Sequence, residues 1–244
     1  MTVLHVICGT FVLVVAPAAM LVRKGGRWHR RWGTAFMAAM SVVLFTAGFM
    51  WQPKGHIFLL ALAIISAYLV YNGYRIVLRR RRRSSDPLDD RIDVAAAAVT
   101  VAAGVWLVWI AATAANDLMR SLAPIMAGLG VTAFAFAMND VRGIIGPRTR
   151  VGSLIAHFCA MIAAYISAVT AFVVINAHGV PMELRWLVPI GIGTLVITGF
   201  SLPYRLPKRR PANSHAFFAG TGAAVPGETQ LRGTITAQPV KYDV

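Results

Sequence analysis

Seven blocks of apolar residues run through the chain, separated by short polar segments that are rich in arginine. Each block is about as long as the ~20 residues of helix that cross a hydrocarbon layer ~30 Å thick. A segment exposed to lipid must satisfy its own backbone hydrogen bonds, and an apolar run of this length does so as a helix. The predicted spans are Leu4–Val22, Gly33–Trp51, Ile57–Leu78, Val94–Ala115, Leu122–Met138, Val151–Asn176 and Trp186–Tyr204. The pattern therefore predicts an all-α, polytopic transmembrane helix bundle of about seven spans over residues 1–205.

Three segments of the chain need separate interpretation: the first apolar block, the fourth apolar block and the C-terminal residues. The first block is predicted to be a retained span rather than a signal peptide, because no positive side chain precedes it. In addition, Pro17 lies between Ala16 and Ala18, in the middle of the small residues where a cleavage site would be expected. The fourth block, with its run Ala95–Ala98, is expected to be the least hydrophobic of the seven. Residues 206–244 have no sustained apolar period, which predicts a disordered cytoplasmic tail.

Lysine and arginine are distributed unevenly between the two sides of the predicted bundle. Such residues collect in short cytoplasmic loops, and an outside N-terminus places nineteen of the 24 on the inside. The inside set is Arg23, Lys24, Arg27, Arg30, Arg31, Arg75, Arg79, Arg80, Arg81, Arg82, Arg83, Arg91, Arg142, Arg148, Arg150, Arg205, Lys208, Arg209 and Arg210. Only Lys54, Arg120 and Arg185 fall outside, and the remaining two lie in the tail. The bias predicts an outside N-terminus and an inside C-terminus.

The composition agrees with a membrane location. Hydrophobic residues make up 57% of the chain and charged residues 14%, against roughly 25% charged in an average soluble domain. The formal charge of +15 does not indicate a nucleic-acid partner, because the basic residues lie between apolar blocks and not on a soluble module. We expect them to anchor the loops at anionic lipid headgroups. Cys8 and Cys159 lie inside apolar blocks, so no disulfide framework or CxxC metal motif is present.

Several segments resemble a known family. They are Leu4-His5 with Gly9, the loop from Lys24 to Gly33 (KGGRWHRRWG), Tyr68–Arg75 (YLVYNGYR) and the sixth-span string from His157 to Asn176. Together they resemble a family of bacterial multi-pass membrane proteins that is catalogued only as a domain of unknown function. The most specific element is the KGGxxHRxxG loop. The resemblance implies a fold and a location in a bacterial inner membrane, and it implies no reaction.

Three polar residues are candidates for a metal site. His29 precedes the second span, Asp140 ends the fifth and His157 opens the sixth, so the topology places all three near the inner face. Imidazole and carboxylate groups at one level could hold zinc in tetrahedral geometry. The alternative is that His29 belongs to a basic interfacial loop, that Asp140 pairs with Arg142 or a neighbouring arginine, and that His157 bonds a neighbouring helix. Ser153, four residues before His157, shares its helix face.

The remaining histidines allow a haem hypothesis. His5, His56 and His178 are predicted near the outer face, and paired imidazoles can hold haem between membrane helices. Their position at the water boundary favours ordinary interfacial side chains instead.

The third span carries polar residues in its second half. Tyr68, Tyr71, Asn72 and Arg75 follow a 3-4 spacing along one face, which could line a quinone or lipid-headgroup pocket. Interhelical hydrogen bonding explains the same residues. No Asp or Glu is predicted in the middle of a span, which weakens a proton-coupled carrier.

No motif commits the chain to a reaction, to a cofactor or to a protein partner. We expect an integral inner-membrane protein with a non-enzymatic structural, accessory or regulatory role. A redox protein that binds metal or haem is the first alternative, and a small-molecule carrier is the second.

Overall fold

The computed structural model describes residues 1–50, 57–81, 87–115, 117–146 and 149–205. The helices in these ranges are α1 (Thr2–Leu21), α2 (Arg27–Met50), α3 (Ile57–Arg81), α4 (Pro87–Ala112), α5 (Asp117–Ile145), α6 (Arg150–Asn176) and α7 (Met182–Arg205). All seven are long and apolar enough to cross a membrane. The prediction of seven apolar helices is therefore confirmed, and the predicted tail over 206–244 lies outside the described residues.

The helices extend beyond the apolar blocks. Helix α4 begins at Pro87 rather than at Val94, and α5 runs from Asp117 to Ile145. Hydropathy marks the part of a helix that lies in hydrocarbon, whereas the helix itself continues where polar side chains are stable. Two acids, Asp89 and Asp90, lie in the first turn of α4, where negative charge complements the helix dipole.

The expectation for the fourth span was wrong in one respect. Helix α4 is among the more hydrophobic of the seven, and α3 is the least hydrophobic. Alanine is moderately apolar, so the run Ala95–Ala98 does not lower the hydropathy of α4 to that of α3, which carries several polar and charged side chains.

Helix α3 lies at the centre of the compact unit formed by Met1–Leu206. It packs against α2, α4, α5 and α6. In its most apolar stretch 61% of the residues are buried, against 22% for α1, α2 and α7. Since α3 is largely enclosed by other helices, its polar side chains need partners within the protein.

Helices α4 and α5 form the most extensive helix pair, and they approach closely at two glycines. A Cβ atom added to Gly130 would lie 2.5 Å from the carbonyl oxygen of Gly104. A Cβ atom added to Gly104 would lie 2.8 Å from the carbonyl oxygen of Gly130. Only glycine, which has no Cβ atom, allows the two backbones to come this close, as in small-xxx-small contacts between membrane helices.

Candidate functional site

A buried set of polar side chains lies along the C-terminal half of α3 and joins it to α4 and α5. We call it the α3 polar cluster, and it consists of Tyr68, Tyr71, Asn72, Arg75, Arg79, Asp93 and Asp140. Its α3 members recur at intervals of three and four residues, which places them on adjoining faces of one helix. The sequence predicted this face but not its acidic partners on the neighbouring helices.

Arg75 and Asp93 form the centre of the cluster. The side chains meet through two contacts, Nε to Oδ1 at 2.7 Å and Nη2 to Oδ2 at 2.9 Å. Such a forked pairing is the strong geometry for arginine and carboxylate. Arg75 is 9% exposed and Asp93 is 3% exposed. A charge on either residue is therefore balanced by its partner and has little access to solvent.

Further groups complete the surroundings of Asp93. Tyr71 Oη donates a hydrogen bond of 2.6 Å to Asp93 Oδ1. Arg79 Nε lies 3.0 Å from Asp93 Oδ2, close enough for an ion pair but without hydrogen-bond geometry. On its other side Arg75 Nη1 lies 3.4 Å from Asp89 Oδ1. Two arginines one turn apart on α3 thus face two acids one turn apart on α4.

Asp140 connects α3 to α5. Tyr68 Oη donates a hydrogen bond of 2.7 Å to Asp140 Oδ2, and Asn72 Nδ2 donates to the same oxygen. Asp140 is 2% exposed. Arg142 lies two residues further along α5, so its side chain points in a different direction, and it is exposed.

His157 joins α6 to α3. Its Nδ1 lies 2.7 Å from the carbonyl oxygen of Gly73. A carbonyl oxygen only accepts, so Nδ1 carries the proton and Nε2 is left as an acceptor. The ring and Ser153 line one small cavity of about 60 Å³. The expectations that His157 bonds a neighbouring helix and shares a face with Ser153 are confirmed.

The structure assigns His29 to a different contact. Its Nδ1 lies 3.0 Å from the carbonyl oxygen of Ala19, which ties the start of α2 to the end of α1. His29 and His157 are near enough to interact electrostatically. Asp140, however, is held by α3, and within the described ranges no three His, Cys, Asp or Glu side chains are grouped so that they could hold a metal ion. His29, Asp140 and His157 do not converge as a metal-binding set.

No family model matches the chain, and neither the curated proteins nor the solved structures that were compared with it gave a match. The resemblance through the KGGxxHRxxG loop therefore stays a prediction. The α3 polar cluster and the histidines have to be interpreted from their own geometry.

Two of the three other histidines lie within the described residues. His5 Nδ1 lies 2.9 Å from Thr46 Oγ1 and so joins α1 to α2. His178 is exposed in the connection between α6 and α7, and His56 lies outside the described residues. His5 is thus half-buried in a contact between two helices, whereas His178 is a surface residue.

Sequence reasoning missed Asp93 because the fourth span was expected to begin at Val94. Asp140 was placed after the fifth span for a similar reason, because that span was expected to end at Met138 whereas α5 continues to Ile145. Both carboxylates lie within helices that could cross a membrane, Asp93 toward the start of α4 and Asp140 toward the end of α5. No acid was expected in the middle of a span, and these two lie toward the span ends, but their burial within the helices was not foreseen. One signal was present: Asp89 and Asp93 are four residues apart, as are Arg75 and Arg79, and such pairs form one charged face on each helix.

Proposed function

We propose that this chain is a multi-pass protein of a bacterial inner membrane, with its N-terminus outside and its C-terminus inside. The distribution of lysine and arginine supports the orientation. Large apolar side chains on the outer surface of the bundle support contact with lipid, among them Val14 at 66% exposure and Leu195 at 74%. Its role in this proposal is structural, accessory or regulatory rather than enzymatic.

The paired state of Arg75 and Asp93 carries the proposal. A charged side chain inside a membrane protein is costly, and it persists where it pairs or lines a functional path. Here two guanidinium groups and a phenol surround a single carboxylate, and their geometry fixes α3 against α4. Tyr68 and Asn72 fix α3 against α5 in the same way. The cluster therefore acts as a clamp that sets the arrangement of three helices.

A proton-coupled carrier is the second candidate. The observation that favours it is the burial of two carboxylates, Asp93 and Asp140, inside candidate spans and in contact with tyrosine hydroxyls. Chains of acids and hydroxyls are the groups from which membrane proton relays are built. The two candidates differ in whether these carboxylates exchange protons with the solvent on either side.

Proton flux into proteoliposomes separates the two candidates. The purified full chain would be reconstituted with a pH-sensitive dye inside, and a membrane potential would be imposed with potassium and valinomycin. The clamp predicts a flux equal to that of protein-free liposomes, for the natural chain and for Asp140→Asn alike. A flux that requires Asp140 or Asp93 would establish the carrier and overturn the structural role.

The same preparation tests the redox alternative. An absorption spectrum and a metal analysis of the detergent-purified protein should show neither a Soret band nor stoichiometric metal. Either finding would replace the structural role by a haem or metal function, with His29 and His157 as the first residues to substitute.

A further inference from the structure

We propose that the first two turns of α2 bind the phosphate of an anionic phospholipid in the inner leaflet. The site consists of Arg27, Arg30, Arg31 and Thr34 together with Trp28, and we call it the α2 arginine face. The inference rests on the orientation proposed above, because that orientation places the start of α2 at the inner headgroup level.

The three arginines share one side of the helix. Spacings of three and four residues bring Arg27 next to Arg30 and Arg31, and all three side chains are exposed. Together with Thr34, Ala35 and Ala38 they line one open depression on the surface of α2. The cationic groups thus lie at one end of the depression, and small side chains continue it along the helix toward the hydrocarbon.

Trp28 holds two of the arginines in place. The guanidinium carbons of Arg27 and Arg31 lie 5.7 Å and 5.4 Å from the centre of the indole ring. Both distances are within the range of cation–π attraction. Such a contact uses the electron-rich face of the ring, and it leaves the guanidinium N–H groups able to donate to another acceptor. Tryptophan also prefers the headgroup level of a bilayer.

The chain offers no nearby acid to these arginines along the sequence. The first acidic residue is Asp86, so the first two helices contain no Asp or Glu. Among the described residues, the acids that pair with arginine side chains do so with Arg75, Arg79 and Arg120. Three adjacent positive charges at the membrane surface therefore call for an external anion.

A phospholipid phosphate has the chemistry that this surface fits. Its two unesterified oxygens match the forked donors of guanidinium, and its negative charge is attracted by basic residues at the surface. The small side chains Ala35 and Ala38, one and two turns deeper, leave room for an acyl chain alongside α2. A free phosphate ion would satisfy the arginines but would make no use of the apolar part of the depression.

Native mass spectrometry of the detergent-solubilised full chain tests the site, with phosphatidylglycerol and phosphatidylcholine as the lipids. The variant is Arg27→Gln with Arg30→Gln and Arg31→Gln. The control carries Arg91→Gln, Arg142→Gln and Arg150→Gln, which removes the same charge from exposed arginines of other inner segments. At about a fivefold effect for each arginine near the surface, the loss of three arginines should weaken phosphatidylglycerol binding by a factor on the order of 100 in the α2 variant. The control should weaken it by about threefold or less.

Three results would overturn the site: equal binding of the two lipids by the natural chain, equal losses in the two variants, or full displacement of phosphatidylglycerol by inorganic phosphate at the same concentration. The last would make the surface a site for free anions. A reporter fusion after Arg83 in each variant shows whether the orientation is kept. A changed orientation would count against the proposed topology, and weak lipid selectivity in a correctly oriented chain would count against the lipid site alone.

Discussion

Arg75 and Asp93 form the forked ion pair at the centre of the cluster, and each residue offsets most of the cost of burying the other. Removing one partner leaves an uncompensated charge and typically costs about 3–5 kcal/mol, whereas replacing both by apolar groups of similar volume is often nearly neutral. We therefore expect Arg75→Met to lower the free energy of unfolding by about 3–5 kcal/mol. The double variant Arg75→Met with Asp93→Leu should recover part of that loss, because the forked pair is replaced as a unit while Arg79 and Tyr71 lose their contacts with Asp93. Steric trapping in bicelles measures both.

Arg91→Met is the matched control, since Arg91 is exposed and lies two residues before Asp93 on the same helix. Its effect should stay within about 0.5 kcal/mol, as for most surface substitutions. If the double variant were as unstable as Arg75→Met, the loss of stability would not come from leaving one charge unpaired. That result would contradict the proposal that the ion pair acts by fixing α3 against α4.

Tyr68 contributes through its hydroxyl, which donates to the buried carboxylate of Asp140. A hydrogen bond to a charged group contributes roughly 1.5–3 kcal/mol. Tyr68→Phe should reduce the free energy of unfolding by about that amount, since the ring is kept and one donor is lost. Tyr74→Phe removes a hydroxyl from a side chain that is 44% exposed on the same helix, and it should have little effect. Equal losses in the two variants would contradict a specific role for the bond to Asp140.

The contact between α4 and α5 depends on two glycines that face each other. Gly130→Ala places a methyl group against the Gly104 backbone, so the helices must separate, at a cost of about 1–3 kcal/mol for an overpacked contact. Gly128→Ala on the same helix meets nothing within 4 Å, and it should leave stability unchanged or slightly raised because alanine favours helix. Thermal unfolding in detergent compares the two. A larger loss for Gly128→Ala would contradict the close approach.

The sequence predicted the existence of these elements better than their ends. An apolar run reports the hydrocarbon thickness, and all seven runs are helical. The start of α4 could not be predicted from its apolar run, because the polar residues Asp89 and Asp93 precede that run and are stabilised by arginines of α3. A prediction that treats each span alone assigns such residues to a loop.

The arrangement of the helices relative to one another was the part that the sequence could not supply. Depth follows from the alternation of spans, but lateral position follows from side-chain packing between distant segments. His157 was correctly expected to bond another helix, and its partner Gly73 was not identifiable because a backbone carbonyl leaves no signal in sequence. The convergence of His29, Asp140 and His157 depended on such lateral positions: His29 contacts α1, whereas Asp140 and His157 each contact α3, and no metal-holding group of three is found among the described residues.

The orientation of the whole molecule in the membrane is the central claim of the proposed function, and the lipid site on α2 depends on it. Fusions to alkaline phosphatase, which is active only outside, and to green fluorescent protein, which is fluorescent only inside, measure it directly. The account predicts fluorescence without phosphatase activity after Arg83 and after Arg210, and phosphatase activity without fluorescence after Gly179. Phosphatase activity at Arg83 or Arg210, or fluorescence at Gly179, would contradict seven spans with an outside N-terminus.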